Sequence, residues 1–146
     1  MMQQTSTSPT DVIVRVVDEF VNRGLFDSFD ELIDADIVSY DPAGDASIRG
    51  GNAYRAEMQS FRGSFADFHV RIDDLVADGD KVAYRWTATG RHVGELLGIA
   101  PTGNHVEFTG IDIARVRNGR VVEEWINWDT LGLLTQLGAV PQATRA

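Results

Sequence analysis

The residues in this chain best placed to do chemistry are two carboxylates in its second half. Read with the two-residue alternation of a strand, His105 to Arg117 separates into two faces. One carries His105, Glu107, Thr109 and Arg115 and reads as solvated. The other carries Val106, Phe108, Gly110, Asp112, Ala114 and Val116, apolar or small apart from the aspartate. A carboxylate moved from water onto such a face is costly unless it is paired or neutralised, and its affinity for a proton rises. A general acid/base in a pocket has that profile. A structural cap or salt bridge fits the same pattern, and periodicity leaves both open. On the last strand Glu124 shares parity with Ile126, which puts it either inward beside Asp112 or at a solvated edge. If it points inward, the two acids split their titrations, one protonated and one ionised near neutral pH.

Around these acids stand Tyr84, Trp86, Phe108 and Trp128. They suit an aromatic lining for a flat polycycle, and core packing would use them equally well. His92 opens a Gly/Pro-rich loop, the place for a pocket rim or lid, or for an ordinary surface histidine. Composition removes several other chemistries. With no cysteine there is no disulfide, thiol nucleophile or cysteine-ligated metal, and the three histidines show no metal-ligand spacing. A net charge of −9 without a basic patch argues against nucleic acid or an anionic membrane as partner. No apolar run approaches the roughly 18 residues of a membrane span. The polar start, Met1 to Thr10, lacks the basic and apolar segments of a secretory signal, so cytoplasmic, metal-free chemistry is expected.

The elements that must position these residues divide into a helical half and a strand half. Ser8-Pro9 opens a first helix whose stripe is Val12, Ile13, Val16, Val17, Phe20 and Val21, with Gly24 as its stop. A short helix over 28–33, with Phe29, Leu32 and Ile33 inward, precedes a short strand over 37–40. A further helix spans about 52–65, with Tyr54, Met58, Phe61 and Phe65 on one face. From Phe68 the period changes to two. Phe68, Val70, Ile72 and Val76 share one face, Asp78-Gly79 turns the chain, and Val82, Tyr84, Trp86 and Ala88 continue the apolar side. A loop over 92–104 leads to the Asp112 strand, and Asn118-Gly119 is a strong hairpin signal. The last strand, 120–129, feeds a C-terminal apolar turn or helix over 131–137. At 146 residues this predicts one α+β domain, a strongly bent antiparallel sheet wrapped over N-terminal helices. Its expected limits are 11–140, between a flexible N-terminus at 1–10 and a tail at 141–146.

Several runs resemble the SnoaL-like polyketide cyclase family: Val82-Ala83-Tyr84-Arg85-Trp86-Thr87-Ala88-Thr89-Gly90 and the following Arg91 to Gly103, Glu107-Phe108-Thr109-Gly110-Ile111-Asp112-Ile113, Asn118-Gly119-Arg120-Val121-Val122-Glu123-Glu124-Trp125, and Leu131 to Gly138. The resemblance implies the NTF2-like cone around an apolar pocket, a homodimer, and action on aromatic polyketides in bacterial antibiotic pathways without metal or organic cofactor. It also implies polar substrate contacts at Tyr40 and Asp41, although an Asx turn into Pro42 explains that pair as well. One departure stands out. Ring-closing members carry an aspartate as general acid/base on the last long strand, at the position occupied here by Ile126. Either Asp112 takes over, or the reaction differs, and fold membership alone does not decide. The expectation is a tailoring enzyme of anthracycline-type biosynthesis that closes or hydroxylates a ring, with Asp112 catalytic and Tyr40, Asp41, Trp86, His92, Phe108, Glu124, Ile126 and Trp128 around the substrate. The alternative is a non-catalytic polyketide binder serving a separate oxygenase or reductase.

Overall fold

The computed structural model describes residues 8–44 and 47–140. The expected tail at 141–146 and most of the expected flexible start lie outside them. Pro9 and Thr10, which that division placed in the N-terminus, are helical. The Ser8 hydroxyl accepts the Asp11 N–H at 3.1 Å and opens helix α1 (Pro9–Arg15), with proline at its first turn.

The expected stripe is buried, but the helix changes pitch along it. Val16–Asn22 is π-helical, where uniform α-helix to Gly24 was predicted. Partners outside the helix account for the wider turn, because they satisfy its last carbonyls. Arg62 donates Nε to the Val21 carbonyl at 2.9 Å and Nη2 to that of Asn22 at 3.3 Å. The Asn22 amide clasps the Val70 backbone in both directions, at 2.7 and 2.9 Å. Gly24 then turns away at φ +64, and a Cβ there would lie 2.8 Å from the Arg62 guanidinium carbon.

Helix α2 (Phe29–Leu32) runs directly into β1 (Ile33–Tyr40), longer than the strand expected at 37–40. A two-residue strand β2 (Ile48–Arg49) and helix α3 (Gly51–Gly63) follow. Phe65, expected on that helix, instead begins β3 (Phe65–Asp78), because the helix stops at Gly63 and Ser64. Strands β4 (Lys81–His92), β5 (His105–Arg117) and β6 (Arg120–Trp128) complete the sheet, and helix α4 (Thr130–Gln136) closes the fold. Asp129, whose direction was open, is the N-cap of α4 and accepts the Gly132 N–H at 2.8 Å.

The six strands form one sheet in the order β2-β1-β6-β5-β4-β3. Strands β3 to β6 make an antiparallel meander, but β1 lies parallel to β6, so the sheet is mixed rather than wholly antiparallel. A parallel pair needs a long crossover, and the chain from β2 to β5 supplies it. A bulge also corrects the pattern. Ile72 faces Trp86 and Asp74 faces Arg85, so Asp73 is an extra residue and the faces exchange beyond it. Leu75 therefore packs inward, while Val76, expected inside, is 64% exposed.

Two apolar clusters fill the cone. At one end Val12, Ile13 and Phe20 pack with Val82, Ala114 and Val116. At the other, Phe65, Phe68, Val106 and Phe108 pack with Leu133 and Leu137 of the last turn. The space between them stays open.

Candidate active site

That space is a cavity of about 260 Å³ between the inner face of the sheet and the helices. Its walls are mostly apolar, with Val17, Met58 and Phe61 on the helical side and Phe108, Ile126 and Trp128 on the strands. Strand alternation brings the acids to it. Asp112 stands opposite Tyr84 on β4 and Ile126 on β6, and Glu124 stands opposite Ser39 on β1. Asp112 is 7% and Glu124 4% exposed, so both inward readings hold, and both line the cavity together with Asp41.

Each acid has its own set of donors. The Tyr84 hydroxyl donates to Asp112 Oδ2 and the Trp86 indole N–H to Oδ1, both at 2.9 Å. The Ser39 hydroxyl donates to Glu124 Oε1 at 2.8 Å, and Tyr54 lines the same cavity. The Trp128 indole N–H reaches Asp41 Oδ2 at 3.1 Å. No cationic side chain is among the hydrogen-bond partners of Asp112 or Glu124 in the described residues. Neutral donors therefore hold both acids.

Burial dominates the electrostatics. It pushes Asp112 up to about 6, against the opposing pull of Trp86 and Tyr84. Burial also pushes Glu124 up to about 8, and the neighbouring Asp112 charge adds to the rise. Near neutral pH the pair thus carries one proton, chiefly on Glu124, and one charge, chiefly on Asp112. Burial first, and then the same acids, raise Tyr54 and Tyr84 well above the ordinary phenol, so both remain neutral. The site is a base and an acid side by side in an aromatic chamber. It can take a proton from carbon at one point and supply one to oxygen at another.

Of the residues read from the sequence, Asp41, Trp86, Phe108, Asp112, Glu124, Ile126 and Trp128 all border the cavity. Tyr40 does not. One step beyond the inward Ser39, it faces the other side of the sheet and stacks on Trp125 at 5.9 Å. His92 is also corrected. It is the last residue of β4 rather than a loop rim, is wholly buried, and packs near Phe65 away from the cavity. Its Nδ1 accepts the Thr102 N–H at 3.1 Å, so it fastens the following loop. Ser39 was missed as the partner of Glu124, and Tyr54 as a neighbour in the cavity lining. Ser39 lies on a strand whose partner is 85 residues away, and Tyr54 reads as one member of an apolar helical stripe.

The α+β cone, with a curled mixed sheet over helices and an acid-bearing cavity, is the NTF2-like fold, and a solved structure from Jannaschia sp. CCS1 shares it at a TM-score of 0.84. The model of the SnoaL-like polyketide cyclase family matches residues 11–137, and the chain belongs to that family. Among its relatives is the aklanonic acid methyl ester cyclase DnrD of Streptomyces peucetius, 27% identical over 135 residues, covering 88% of this chain and 89% of that one. IdmH of Streptomyces antibioticus, a proposed polyketide cyclase, is 35% identical with a TM-score of 0.78, over 90% of this chain and 99% of its own. AclR of Streptomyces galilaeus, a proposed hydroxylase, is 26% identical with a TM-score of 0.81, over 97% and 91% of the two chains.

Proposed function

We propose that the protein is a tailoring enzyme of aromatic polyketide biosynthesis, of the anthracycline type, that closes a ring by proton transfer. The supporting observation is the buried Asp112–Glu124 pair, sharing one proton inside an aromatic cavity. Family membership and the cyclase relatives agree with it. Asp112 takes the proton from a carbon between two carbonyls. The resulting enolate carbon attacks a further, third carbonyl of the same molecule, and Glu124 protonates the alkoxide that forms. The proton on Asp112 then returns to Glu124, and the product is an isomer of the substrate. A positioned acid/base contributes roughly 10²- to 10⁴-fold, enough for α-protons that are already acidic. The test is turnover of anthracycline-type ketone intermediates by wild type and Asp112→Asn. A loss of that size is expected, and an undiminished variant removes Asp112 from the chemistry.

Ile126 favours a second reading, because an aliphatic side chain stands where ring-closing members carry their acid, and AclR is a proposed hydroxylase. In that case the enolate carbon adds O₂ and forms a hydroperoxide, whose reduction to a hydroxyl takes two electrons from a partner reductase. Oxygen uptake that depends on the reductase separates this from ring closure, which needs neither. Binding of the polycycle without product under either condition would leave a non-catalytic carrier. A homodimer accompanies all three readings. Support comes from the outer sheet face, where Ile111 and Ile113 are 53% and 40% exposed beside the Tyr40–Trp125 stack. A monomer in light scattering at micromolar concentration would refute it.

A further inference from the structure

Across the inner face of the sheet, Trp86, Gly110 and Trp128 stand in one row on β4, β5 and β6. The central member has no side chain, and both flanking indoles use their N–H on a cavity carboxylate, Trp86 on Asp112 and Trp128 on Asp41. The vacancy at Gly110 is occupied. A Cβ built there would lie 2.6 Å from Trp86 Cε2, 2.8 Å from Cη2 and closer still to Cζ2. These are atoms of the rigid bicyclic ring, and Phe108 blocks one direction of escape with its ring at 5.9 Å, edge-on to the indole. Gly110 has no positive φ to explain it, so backbone conformation does not call for glycine here. Space does.

We propose that Gly110 is a positioning residue of the active site: its missing side chain lets the Trp86 indole lie across β5, and that seat brings the indole N–H onto Asp112. Any side chain at 110 lifts the ring and withdraws the donor. The inference rests on the reading of Asp112 as the acid/base group and adds what sets its proton affinity. A hydrogen bond to the ionised carboxylate favours that form, so removing it makes Asp112 harder to ionise.

The experiment compares wild type, Gly110→Ala, Trp86→Phe and the double variant, following the Asp112 and Glu124 carboxyl carbons by ¹³C NMR against pH without substrate. Trp86→Phe removes the donor and should move the Asp112 step upward by about one to two pH units. Gly110→Ala should move it in the same direction. Phenylalanine lacks Cζ2 and Cη2, two of the three ring atoms the new methyl would strike, and has no N–H left to withdraw, so in the double variant the alanine should add nothing to the shift. An unshifted Asp112 in folded Gly110→Ala, or additive shifts in the double variant, would overturn the proposal. Should Gly110→Ala fail to fold, the double variant decides. Recovery of the fold with the titration of Trp86→Phe supports it, and failure of both refutes it. The readout needs no turnover, so an inactive wild type would count against the proposed function and leave this inference standing.

Discussion

Replacing Asp112 with asparagine should make the protein more stable at high pH and leave its stability nearly unchanged at low pH. The ordinary aspartate value of 3.8 rises to about 6 in the fold, because burial outweighs the two donors. Between those values the native state holds more protons than the unfolded chain. Stability then falls as pH rises through the window and levels off above it. At about 1.4 kcal/mol per pKa unit, ionised Asp112 costs about 3 kcal/mol of stability once the pH is well above 6. An amide of the same shape never ionises. Near pH 4 the two proteins should agree within about 1 kcal/mol, the worth of one rearranged hydrogen bond. Near pH 8 the variant should be more stable by roughly 2 to 3 kcal/mol.

Urea denaturation followed by far-UV circular dichroism at several pH values measures the gap directly, since midpoint and slope give the free energy at each pH. The pH dependence of the difference carries the test, because a simple loss of packing would shift all points alike. A gap that does not change with pH would show that Asp112 ionises in the fold as it does in water. A gap growing in favour of wild type would show that its donors outweigh its desolvation. Either result ends the case for Asp112 as a poised base, whatever the turnover data say.

Three other perturbations have defined outcomes. Glu124→Gln removes the group pushed to about 8, so the carboxyl titration of the cavity, read by ¹³C NMR, should lose its upper step while Asp112 still titrates. Ile126→Asp puts a third carboxylate opposite Asp112 in register, so the titration of Asp112 should move up further, and protein that is less stable at pH 8 than at pH 5 should show it in thermal melts. Gly24→Ala meets both the positive φ of +64 and the Arg62 guanidinium, and should lower stability by about 1 to 3 kcal/mol in urea without moving the carboxyl titrations.

Alternation along a regular strand was enough to place Asp112 and Phe108 inside, since β5 keeps register with β4 from Lys81 to Arg91 without a break. Parity alone leaves Glu124 between the cavity and a solvated edge, and its pairing with Ser39 puts it inside. Where regularity fails, so does the reading. Val76 lies beyond a bulge that Asp73 makes by bonding Arg71 and Thr87, and those partners come from side chains whose placement no local pattern encodes. Tyr40, which the resemblance set at the substrate beside Asp41, faces away, because the pairing of β1 with β6 gives the inward place to Ser39 and stacks Tyr40 on Trp125. His92 resembles a loop residue in its glycine-rich context, yet β4 extends to it and pairs it with Phe65. The π-helical turn is set by Arg62 and Asn22 reaching between elements. In each case a tertiary partner overrides a local preference, and the misses fall on such contacts rather than scattering.

The isoleucine at 126 then has a geometric reading. Asp112 and Ile126 are direct partners across β5 and β6, and opposed residues of an antiparallel pair lie about 4.5 to 5.5 Å apart at Cα. A carboxylate carried on β5 can therefore reach the stretch of cavity wall that one carried on β6 would serve. What changes is the approach, and with it the donors available. From β5 the acid meets Tyr84 and Trp86 of β4, which keep it low enough to ionise near neutral pH, while the apolar Ile126 maintains the dry surroundings that hold it above an ordinary aspartate. Moving an acid by one strand is thus a change of partners as much as of position. The room Gly110 leaves for Trp86 completes that new set.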